Sequence, residues 1–148
     1  MAIEIERKFL VSSTRFKEEA SSSYTILQGF LNKDPNRTVR IRLIKDAAYI
    51  TIKGISSKDS LSRFEWEKQI PLNEGQDLLK LCDDNLIEKE RYLVPSGDHT
   101  FEVDVFFGRL EGLIIAEVEL NSENEKFNRP DWLGQEVTGD PNYYNSNL

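Results

Sequence analysis

The sequence predicts a mainly β protein of the α+β class: an eight-stranded antiparallel closed barrel, or tunnel, with a polar charged lumen and a few flanking helices. Three observations predict this fold class. Short segments in which charged and apolar residues alternate recur along the chain. Turn-forming residues, such as those at Asp34–Asn36 and Pro95–Asp98, separate the segments. The charged faces carry full charges, and individual strands favour one sign of charge.

Eight strands follow from the alternation, because successive side chains of a strand point to opposite faces. In the first strand, Glu4, Glu6 and Lys8 share one face while Arg7 points the other way. The predicted strands are Ala2–Val11, Tyr24–Leu31, Thr38–Lys45, Ala48–Gly54, Arg63–Pro71, Leu86–Val94, Thr100–Phe107 and Leu113–Leu120.

Two helices are predicted between the strands, one near Thr14–Ala20 and one that starts from an N-cap at Asn73. A turn at Pro130–Leu133 and a small helix near Tyr143–Leu148 follow the last strand. No repeat, low-complexity tract or linker interrupts the pattern, so residues 1–148 are expected to form a single domain.

Two structures could present such charged faces. An ordinary sheet turns its apolar face inward and its charged face to water, which is the common arrangement. A barrel instead points the charged faces into a hydrated lumen and covers the apolar faces with helices or a second subunit, so a homodimer is one way to complete it. The scarcity of neutral polar residues and the segregation of acidic from basic strands favour the barrel. Eight strands leave room for one small ligand.

Clustered carboxylates and clustered cations indicate the chemistry. Like charges in a lumen need anions and metal ions as partners. Oxygen ligands suit Mg²⁺ or Mn²⁺. Zinc is disfavoured, because the only histidine, His99, falls in a predicted surface turn and the only cysteine, Cys82, in a predicted buried helix position. Arg and Lys match phosphate oxygens. The sequence shows no Gly-rich phosphate loop and no recognisable Ser or Cys nucleophile, so it predicts hydrolysis by metal-activated water.

The overall charge excludes some partners. With 19 Lys and Arg against 26 Asp and Glu, the net charge is -7, so general binding of nucleic acid is not expected. The first residues lack an apolar signal region, because charges begin at Glu4, and no apolar run approaches the roughly 18 residues of a membrane span. We therefore expect a cytoplasmic protein with no membrane partner.

The ordered set of motifs resembles one known family. The opening Glu4-x-Glu6-x-Lys8 is similar to the ExExK signature of that family. The similarity continues through Gln28-Gly29-Phe30-Leu31, Arg40-x-Arg42, Thr51-Ile52-Lys53-Gly54, Phe64-Glu65-x-Glu67, Lys89-x-Arg91-Tyr92, Glu102-x-Asp104-x-Phe106, Ala116-Glu117-x-Glu119 and Trp132-Leu133-Gly134-x-Glu136-Val137-Thr138. Over essentially its whole length the chain resembles CYTH-domain proteins of the triphosphate tunnel metalloenzyme superfamily, most closely the short bacterial inorganic triphosphatases.

The resemblance implies a tunnel that binds a triphosphate and a divalent metal, and it implies roles for individual residues. The phosphate-binding positions match Lys8, Arg40, Arg42, Lys53, Lys89 and Arg91, and the metal-binding positions match Glu4, Glu6, Asp104, Glu117 and Glu119. Glu65 and Glu67 match an acidic pair that orders water or a second metal. Together with Lys8 and Lys53 they are the expected catalytic residues. Glu102 is a weaker candidate, and Arg63 and Lys68 are expected at the rim or surface.

One departure from the family concerns proton transfer. Related short proteins often carry a tyrosine with a proton-accepting hydroxyl where this chain has Phe30. The general base therefore stays open between Lys53 and a carboxylate whose pKa is tuned by burial.

The leading hypothesis is a Mg²⁺- or Mn²⁺-dependent enzyme that converts tripolyphosphate to diphosphate and orthophosphate. Two alternatives remain. One is a hydrolase or cyclase acting on an organic triphosphate, such as ATP or thiamine triphosphate. The other is a polyphosphate or nucleotide sensor without turnover, which the Phe30 departure favours.

Overall fold

A computed structural model describes residues Ile3–Leu148. In this range it contains nine strands, two α-helices and three short 3-10 turns. The strands are β1 (Ile3–Val11), β2 (Ser22–Asn32), β3 (Arg37–Ile44), β4 (Ala47–Ser56), β5 (Ser62–Ile70), β6 (Ile87–Ser96), β7 (His99–Phe106), β8 (Ile114–Glu119) and β9 (Leu133–Glu136); the helices are α1 (Phe16–Glu19) and α2 (Leu72–Leu81); the turns are Gly108–Leu110, Pro141–Tyr143 and Asn145–Asn147. The first eight strands match the predicted ones to within one or two residues at each end. Ala2, the predicted start of the first strand, lies outside the described residues.

Eight strands close into one antiparallel barrel. Neighbours follow the order β5-β4-β3-β2-β6-β7-β8-β1, and β5 also pairs with β1. The closing pair is short and places Ile3 opposite Phe64. Farther along its length, β1 pairs with β9, where Phe9 lies opposite Glu136. The predicted closed eight-stranded barrel is confirmed.

The apolar outer faces of β1, β6, β7 and β8 are covered by α1 and by the chain before β9. Phe16 of α1, Phe9, Phe101 and Trp132 form a buried cluster there. The rings of Phe101 and Trp132 meet edge to face, with centroids 5.4 Å apart, which is a favourable aromatic geometry. This packing turns the charged faces of the same strands toward the lumen.

The second helix, α2, covers the outer faces of β2, β3 and β4. It approaches so closely that a Cβ placed on Gly75 would lie 2.3 Å from the Ala48 Cβ. Neither α1 nor α2, the α-helices of the described range, is long and apolar enough to cross a membrane. The outer face of β5 is less covered, and Trp66 on it is exposed.

The lumen is polar along most of its length but apolar at one end. In β6, β7 and β8, the positions that continue the charged faces at this end are Ile87, Phe106 and Ile115. These three side chains are buried and pack together, with Tyr143 and Leu148 against them. We call Ile87, Phe106 and Ile115 the floor of the lumen.

Two local predictions about helices are corrected, and the predicted turn at Pro130–Leu133 is present but is followed by an unexpected strand. The second helix begins directly after Pro71, so Asn73 lies in its first turn and does not cap it; proline suits a helix start because no N–H partner is needed there. The predicted turn at Pro130–Leu133 leads into β9, which the sequence did not predict. The predicted C-terminal helix consists of the 3-10 turns Pro141–Tyr143 and Asn145–Asn147.

The single histidine and the single cysteine also differ from expectation. His99 begins β7 instead of lying in a surface turn, and its side chain is only 13% exposed. Its ring bonds the Glu125 carboxylate and packs edge-on against Phe127. Cys82 is half-buried instead of fully buried, beside Gly29.

Candidate active site

A charged cavity of about 330 Å³ occupies the lumen. Seven cationic and seven acidic side chains line it: Lys8, Arg40, Arg42, Lys53, Arg63, Lys89, Arg91, Glu4, Glu6, Glu65, Glu67, Glu102, Glu117 and Glu119. The structure thus brings together all of the predicted site residues except Asp104, which lies behind this lining.

Arg42 projects from β3 and is held by a buried glutamine. The Gln28 side-chain oxygen accepts hydrogen bonds from Arg42 Nε and Nη2 at 3.0 and 2.7 Å. Burial, together with the nearby Arg40 and Arg91 guanidinium groups, lowers the pKa of Arg42 to about 9. A neutral partner leaves the positive charge of Arg42 available to an anion.

Arg40 presents an unpaired donor. Its Nη2 donates to Thr51 Oγ1 at 3.1 Å and lies 3.5 Å from Glu67 Oε2. Its Nε is buried and has no hydrogen-bond partner. Because a buried unpaired N–H costs free energy, a ligand oxygen that accepted a hydrogen bond from this atom would stabilise the site.

Asp104 anchors two of the cations from behind. Its Oδ1 accepts from Arg91 Nε at 2.7 Å, and its Oδ2 accepts from Arg91 Nη2 at 2.9 Å and lies 2.7 Å from Lys89 Nζ. Burial alone would raise the pKa of Asp104, but Lys89 and Arg91 hold it well below its usual range. Both oxygens contact cations, a geometry that favours the positioning of Arg91 and Lys89; the metal-binding role that the resemblance implies for Asp104 stays a prediction.

Lys89 is completely buried at the inner end of this group. Burial lowers the pKa of Lys89 to about 7, with Asp104 opposing the shift and Arg91 and Arg42 adding to it. Arg91 also donates to Glu102 Oε2 at 2.9 Å. Glu102, the weaker acidic candidate, therefore serves as a counter-charge at the cavity wall.

The acidic side of the cavity lies along β1 and β8. Glu4 Oε1 is 2.8 Å from Lys53 Nζ, yet burial raises the pKa of Glu4 to about 7. Burial and the neighbouring Glu117 raise the pKa of Glu6 well above its usual range. Burial would also raise the pKa of Glu117, but Lys8, 3.9 Å away, and a hydrogen bond from Glu6 lower it to about 2.

This carboxylate group fits a hard cation. The opposite pKa directions of Glu6 and Glu117 mean that the two carboxyl groups share a proton in the ligand-free protein, and a bound cation would displace that proton. Within Ile3–Leu148, no three His, Cys, Asp or Glu side chains converge as a ready-made metal cage. Magnesium is usually held by one or two carboxylates, with water and substrate phosphates as its other ligands. A pair of carboxylates beside a phosphate site therefore suits it.

Arg63, Lys68 and Phe30 were singled out in the sequence, and the structure shows where each of them lies. Arg63, expected at the rim or surface, lines the cavity and donates from Nε to the Gly54 carbonyl at 2.8 Å. Lys68 is exposed, as expected. Phe30 is buried at the cavity wall and offers no hydroxyl.

The end of the chain supplies site residues that the alternation did not reveal. Thr138, Tyr144 and Asn145 line the cavity. Thr138 accepts a hydrogen bond from the Lys8 backbone N–H at 2.9 Å. Asn145 Oδ1 accepts one from Lys89 Nζ at 3.0 Å. The motif that ends in Thr138 could have indicated the contact between Thr138 and Lys8. No sequence pattern indicated that Tyr144 and Asn145 line the cavity.

An antiparallel barrel lined by clustered cations and paired carboxylates defines a site for a polyanion and its counter-cation. The CYTH domain family matches residues 2–144, and the chain belongs to this family. A protein of Acetivibrio thermocellus named inorganic triphosphatase is 46% identical, over 100% of this chain and 94% of that protein. A protein of Nitrosomonas europaea with the same name is 37% identical, over 98% of this chain and 95% of that protein.

A solved structure gives the same result. The crystal structure of an inorganic triphosphatase superposes with a TM-score of 0.68 and 33% identity, over 97% of this chain and 95% of that chain. These relatives confirm the predicted class of activity: the protein is a hydrolase that acts on a triphosphate.

Proposed function

We propose that this protein hydrolyses inorganic tripolyphosphate to diphosphate and orthophosphate, with Mg²⁺ or Mn²⁺, inside the lumen. The observation that carries the proposal is the division of the cavity into two sides. One side holds cations and the unpaired Nε of Arg40. The other holds the paired carboxyl groups of Glu6 and Glu117. A polyphosphate would pair with the cations of the first side, and its divalent cation would pair with the carboxylates of the second.

The cations bind the phosphate oxygens. Guanidinium groups offer a planar fork to phosphate, whereas ammonium groups act as compact point charges. The proposed phosphate-binding residues are Lys8, Arg40, Arg42, Lys53, Lys89 and Arg91. Gln28 and Asp104 fix the orientation of Arg42, Lys89 and Arg91 before the substrate arrives, so little rearrangement is needed on binding.

The carboxylates Glu4, Glu6, Glu117 and Glu119 would hold the divalent cation, and metal dependence is general among CYTH triphosphatases. When bound, such an ion supplies charge neutralisation and an activated water. Its remaining ligands would be water and phosphate oxygens.

Hydrolysis needs one bond to form and one to break. The water oxygen bonds to the terminal phosphorus while the bond from that phosphorus to the diphosphate oxygen breaks. Lys8 and Lys53 stabilise the charge that moves onto the phosphate oxygens. Glu65 and Glu67 orient the water, and the carboxylates of the cavity receive its proton because Phe30 cannot.

The size and lining of the cavity favour an inorganic substrate. A volume of about 330 Å³ is at the small end of the roughly 300–1,000 Å³ of ligand pockets. Its lining is mainly charged, and Phe30 and Tyr144 are aromatic side chains within it. Apart from these two rings, the lining offers a nucleoside or thiamine group little apolar surface to pack against.

A substrate panel tests this proposal. Tripolyphosphate, ATP and thiamine triphosphate are compared at equal concentration, each with Mg²⁺, Mn²⁺, Ca²⁺ or a chelator, and phosphate release is measured. We expect release from tripolyphosphate with Mg²⁺ or Mn²⁺, and none with the chelator. Cyclic AMP formed from ATP, or faster hydrolysis of an organic triphosphate, would contradict the substrate assignment. Tight binding without turnover would instead identify a sensor.

The proposal includes three further expectations. Residues 1–148 act as one domain, the protein is cytoplasmic, and a homodimer covers the outer face of β5 near Trp66. Light scattering on the purified protein tests the oligomeric state, and cell fractionation tests the location.

A further inference from the structure

Arg63 is a cation of the cavity lining that the sequence placed only at the rim or surface. It projects from β5, between Glu4 of β1 and Ser56 of β4, and it lines the cavity. Its Nε donates to the Gly54 carbonyl at 2.8 Å, and its Nη2 donates to the Pro35 carbonyl at 3.2 Å. The guanidinium is therefore held between β4 and the turn that precedes β3, and its direction is fixed before a ligand binds.

The hydrogen-bond partners of Arg63 are neutral oxygens. Besides the two carbonyls, its Nη2 reaches Thr38 Oγ1 at 3.5 Å. Five of the other cavity cations instead have a carboxylate oxygen at 2.7–3.9 Å: Lys8, Arg40, Lys53, Lys89 and Arg91. Arg42 is held by the neutral Gln28 side chain. In the described part of the chain, therefore, Arg42 and Arg63 are the two cavity cations whose charge no close carboxylate offsets.

Arg63 extends the line of guanidinium groups along β3. Thr38, Arg40 and Arg42 share the inward face of this strand, because they are two residues apart. Arg63 meets this face at Thr38, four residues or roughly 13 Å of strand from Arg42. Arg40 lies between them and carries the unpaired Nε. An anion that accepts a hydrogen bond from Arg40 thus has a guanidinium without a close carboxylate on either side of it.

The acidic groups around Arg63 are those proposed to hold the metal. Glu4 lies opposite Arg63 in the β1–β5 pair, and Glu6 follows on the same inward face of β1. Glu4 is already bonded to Lys53 at 2.8 Å. Carboxylates that hold a divalent cation cannot also neutralise a guanidinium. With the metal bound, Arg63 would therefore have its positive charge available for the phosphate at this acidic end of the lumen.

We propose that Arg63 is a further substrate-binding residue, whose guanidinium binds the oxygens of the terminal phosphate at the acidic end of the lumen. This inference rests on the proposed function. A guanidinium has five N–H donors, and the contacts to Gly54, Pro35 and Thr38 use three of them. Both donors of Nη1 remain for the phosphate. Because the group is already fixed in place, it stabilises the charge on the phosphate oxygens during hydrolysis without rearrangement.

Titration calorimetry with a non-hydrolysable imido analogue of tripolyphosphate, in the presence of Mg²⁺, tests this role. Arg63→Gln removes the charge but keeps a side-chain N–H for the Gly54 carbonyl. We expect its Kd for the analogue to rise roughly ten- to hundredfold, because a hydrogen bond between charged groups is lost. The kcat/KM for tripolyphosphate should fall by at least the same factor. The stoichiometry of the titration counts folded sites, so a partial loss of folded protein does not alter the Kd.

Two further variants accompany Arg63→Gln. Arg63→Lys keeps the charge without the planar fork, so its Kd should lie between those of Arg63→Gln and the unchanged protein; it also serves if Arg63→Gln fails to fold. Lys68→Gln is the matched control. Lys68 lies on the same strand, but it is exposed and outside the cavity lining, so the same change of charge there should leave the Kd unaltered.

An unaltered Kd in Arg63→Gln would overturn the inference, even with a lower Tm, because Arg63 would then only join β4 to the turn before β3. Equal weakening in Arg63→Lys and Arg63→Gln, or the same weakening in Lys68→Gln, would also overturn it, because the charge at this position would not matter. An unchanged protein that neither binds the analogue nor hydrolyses tripolyphosphate would instead contradict the proposed function, so the two failures are distinguishable.

Discussion

Asp104 shares the inward face of β7 but lies behind the cavity lining, where it contacts two cations. The motif placed it among the metal-binding acids, and it does share the inward face of β7 with Glu102. Its oxygens, however, are taken by Arg91 and Lys89 at 2.7–2.9 Å. A buried carboxylate with several cationic neighbours stabilises those cations, and such an arrangement is strongly weakened when one partner is removed.

The substitution Asp104→Asn distinguishes a role in positioning Arg91 and Lys89 from a role in binding metal. Removing this charge leaves Arg91 and Lys89 buried without their counter-charge, so we expect the free energy of unfolding to fall by about 3 kcal/mol and the KM for tripolyphosphate to rise. The Mn²⁺ concentration that gives half-maximal activity should stay the same. Glu117→Gln is the comparison, because it should raise that concentration sharply. An equal shift in Asp104→Asn would instead support the metal-binding role of Asp104.

Glu4 makes the stability of the metal-free protein depend on pH. Burial raises the pKa of Glu4 from an ordinary 4.5 to about 7, with the adjacent Glu65 adding to the shift. Between these pH values the folded state binds more protons than the unfolded state, so the free energy of unfolding falls as pH rises through this window. Asp104 and Glu117 have the opposite sign, because their pKa values are lowered and their effect appears at lower pH.

Urea denaturation in the presence of a chelator, at steps from pH 4.5 to 7, measures this effect. We expect a smaller decrease for Glu4→Gln than for the unchanged protein. Glu111→Gln, at an exposed position, is the control and should follow the unchanged protein. An identical slope in Glu4→Gln would show that Glu4 does not titrate in this window.

At the scale of elements, the seating of α2 on the barrel depends on one glycine. A Cβ on Gly75 would lie 2.3 Å from Ala48 Cβ and 3.2 Å from Leu43 Cδ2. Alanine is favoured over glycine in a helix by about 1 kcal/mol, but forcing an extra carbon into a packed contact costs about 1–3 kcal/mol. The close approach should therefore decide the outcome.

We accordingly expect Gly75→Ala to lower the free energy of unfolding by up to about 2 kcal/mol, after its helix preference is subtracted. Activity at a temperature well below unfolding should be retained, because α2 lies outside the lumen. Gln76→Ala, at an exposed position of the same helix, is the control and should be neutral or slightly stabilising. A more stable Gly75→Ala protein would mean that the helix can move away from β4.

The strands were predictable because alternation is a local property that the barrel preserves. Glu4, Glu6 and Lys8 face the lumen because apolar neighbours on the other face of β1 pack outward, and one pattern determines both facts. Arg7 confirms this from the other side: it points out of the lumen and bonds Glu136 of β9 at 2.7 Å.

The closed end of the lumen was not predictable by the same means. In β6, β7 and β8 the inward-facing residues change from charged to apolar at Ile87, Phe106 and Ile115. Alternation alone cannot predict that this change occurs at the same depth in all three strands. Asn145 reaches Lys89 from 56 residues away, a contact that depends on how the barrel is closed. Arg63 shares a strand face with Glu65 and Glu67, but alternation does not show how far along the lumen it lies, and for this reason it was expected only at the rim or surface.

At the scale of the whole molecule, a chain of net charge -7 encloses seven cations in one cavity. The unpaired Arg40 Nε and the raised pKa of Glu6 show that the ligand-free lumen leaves a buried donor without an acceptor and a buried carboxyl group without a cation. Bound ligands would supply both partners. Because each ligand also supplies the charge that the other lacks, their effects should be coupled.

Thermal unfolding with and without ligands tests this coupling. We expect Mg²⁺ and a non-hydrolysable imido analogue of tripolyphosphate to raise the Tm together by more than the sum of their separate effects, since ligands that bind only the folded state stabilise it. The gain should shrink as NaCl is increased, because salt screens the charges that remain accessible. In Glu117→Gln the analogue should still raise the Tm, while the added effect of Mg²⁺ is lost. An analogue that stabilises the unchanged protein equally with Mg²⁺ and with a chelator would show that the two sides of the cavity act independently.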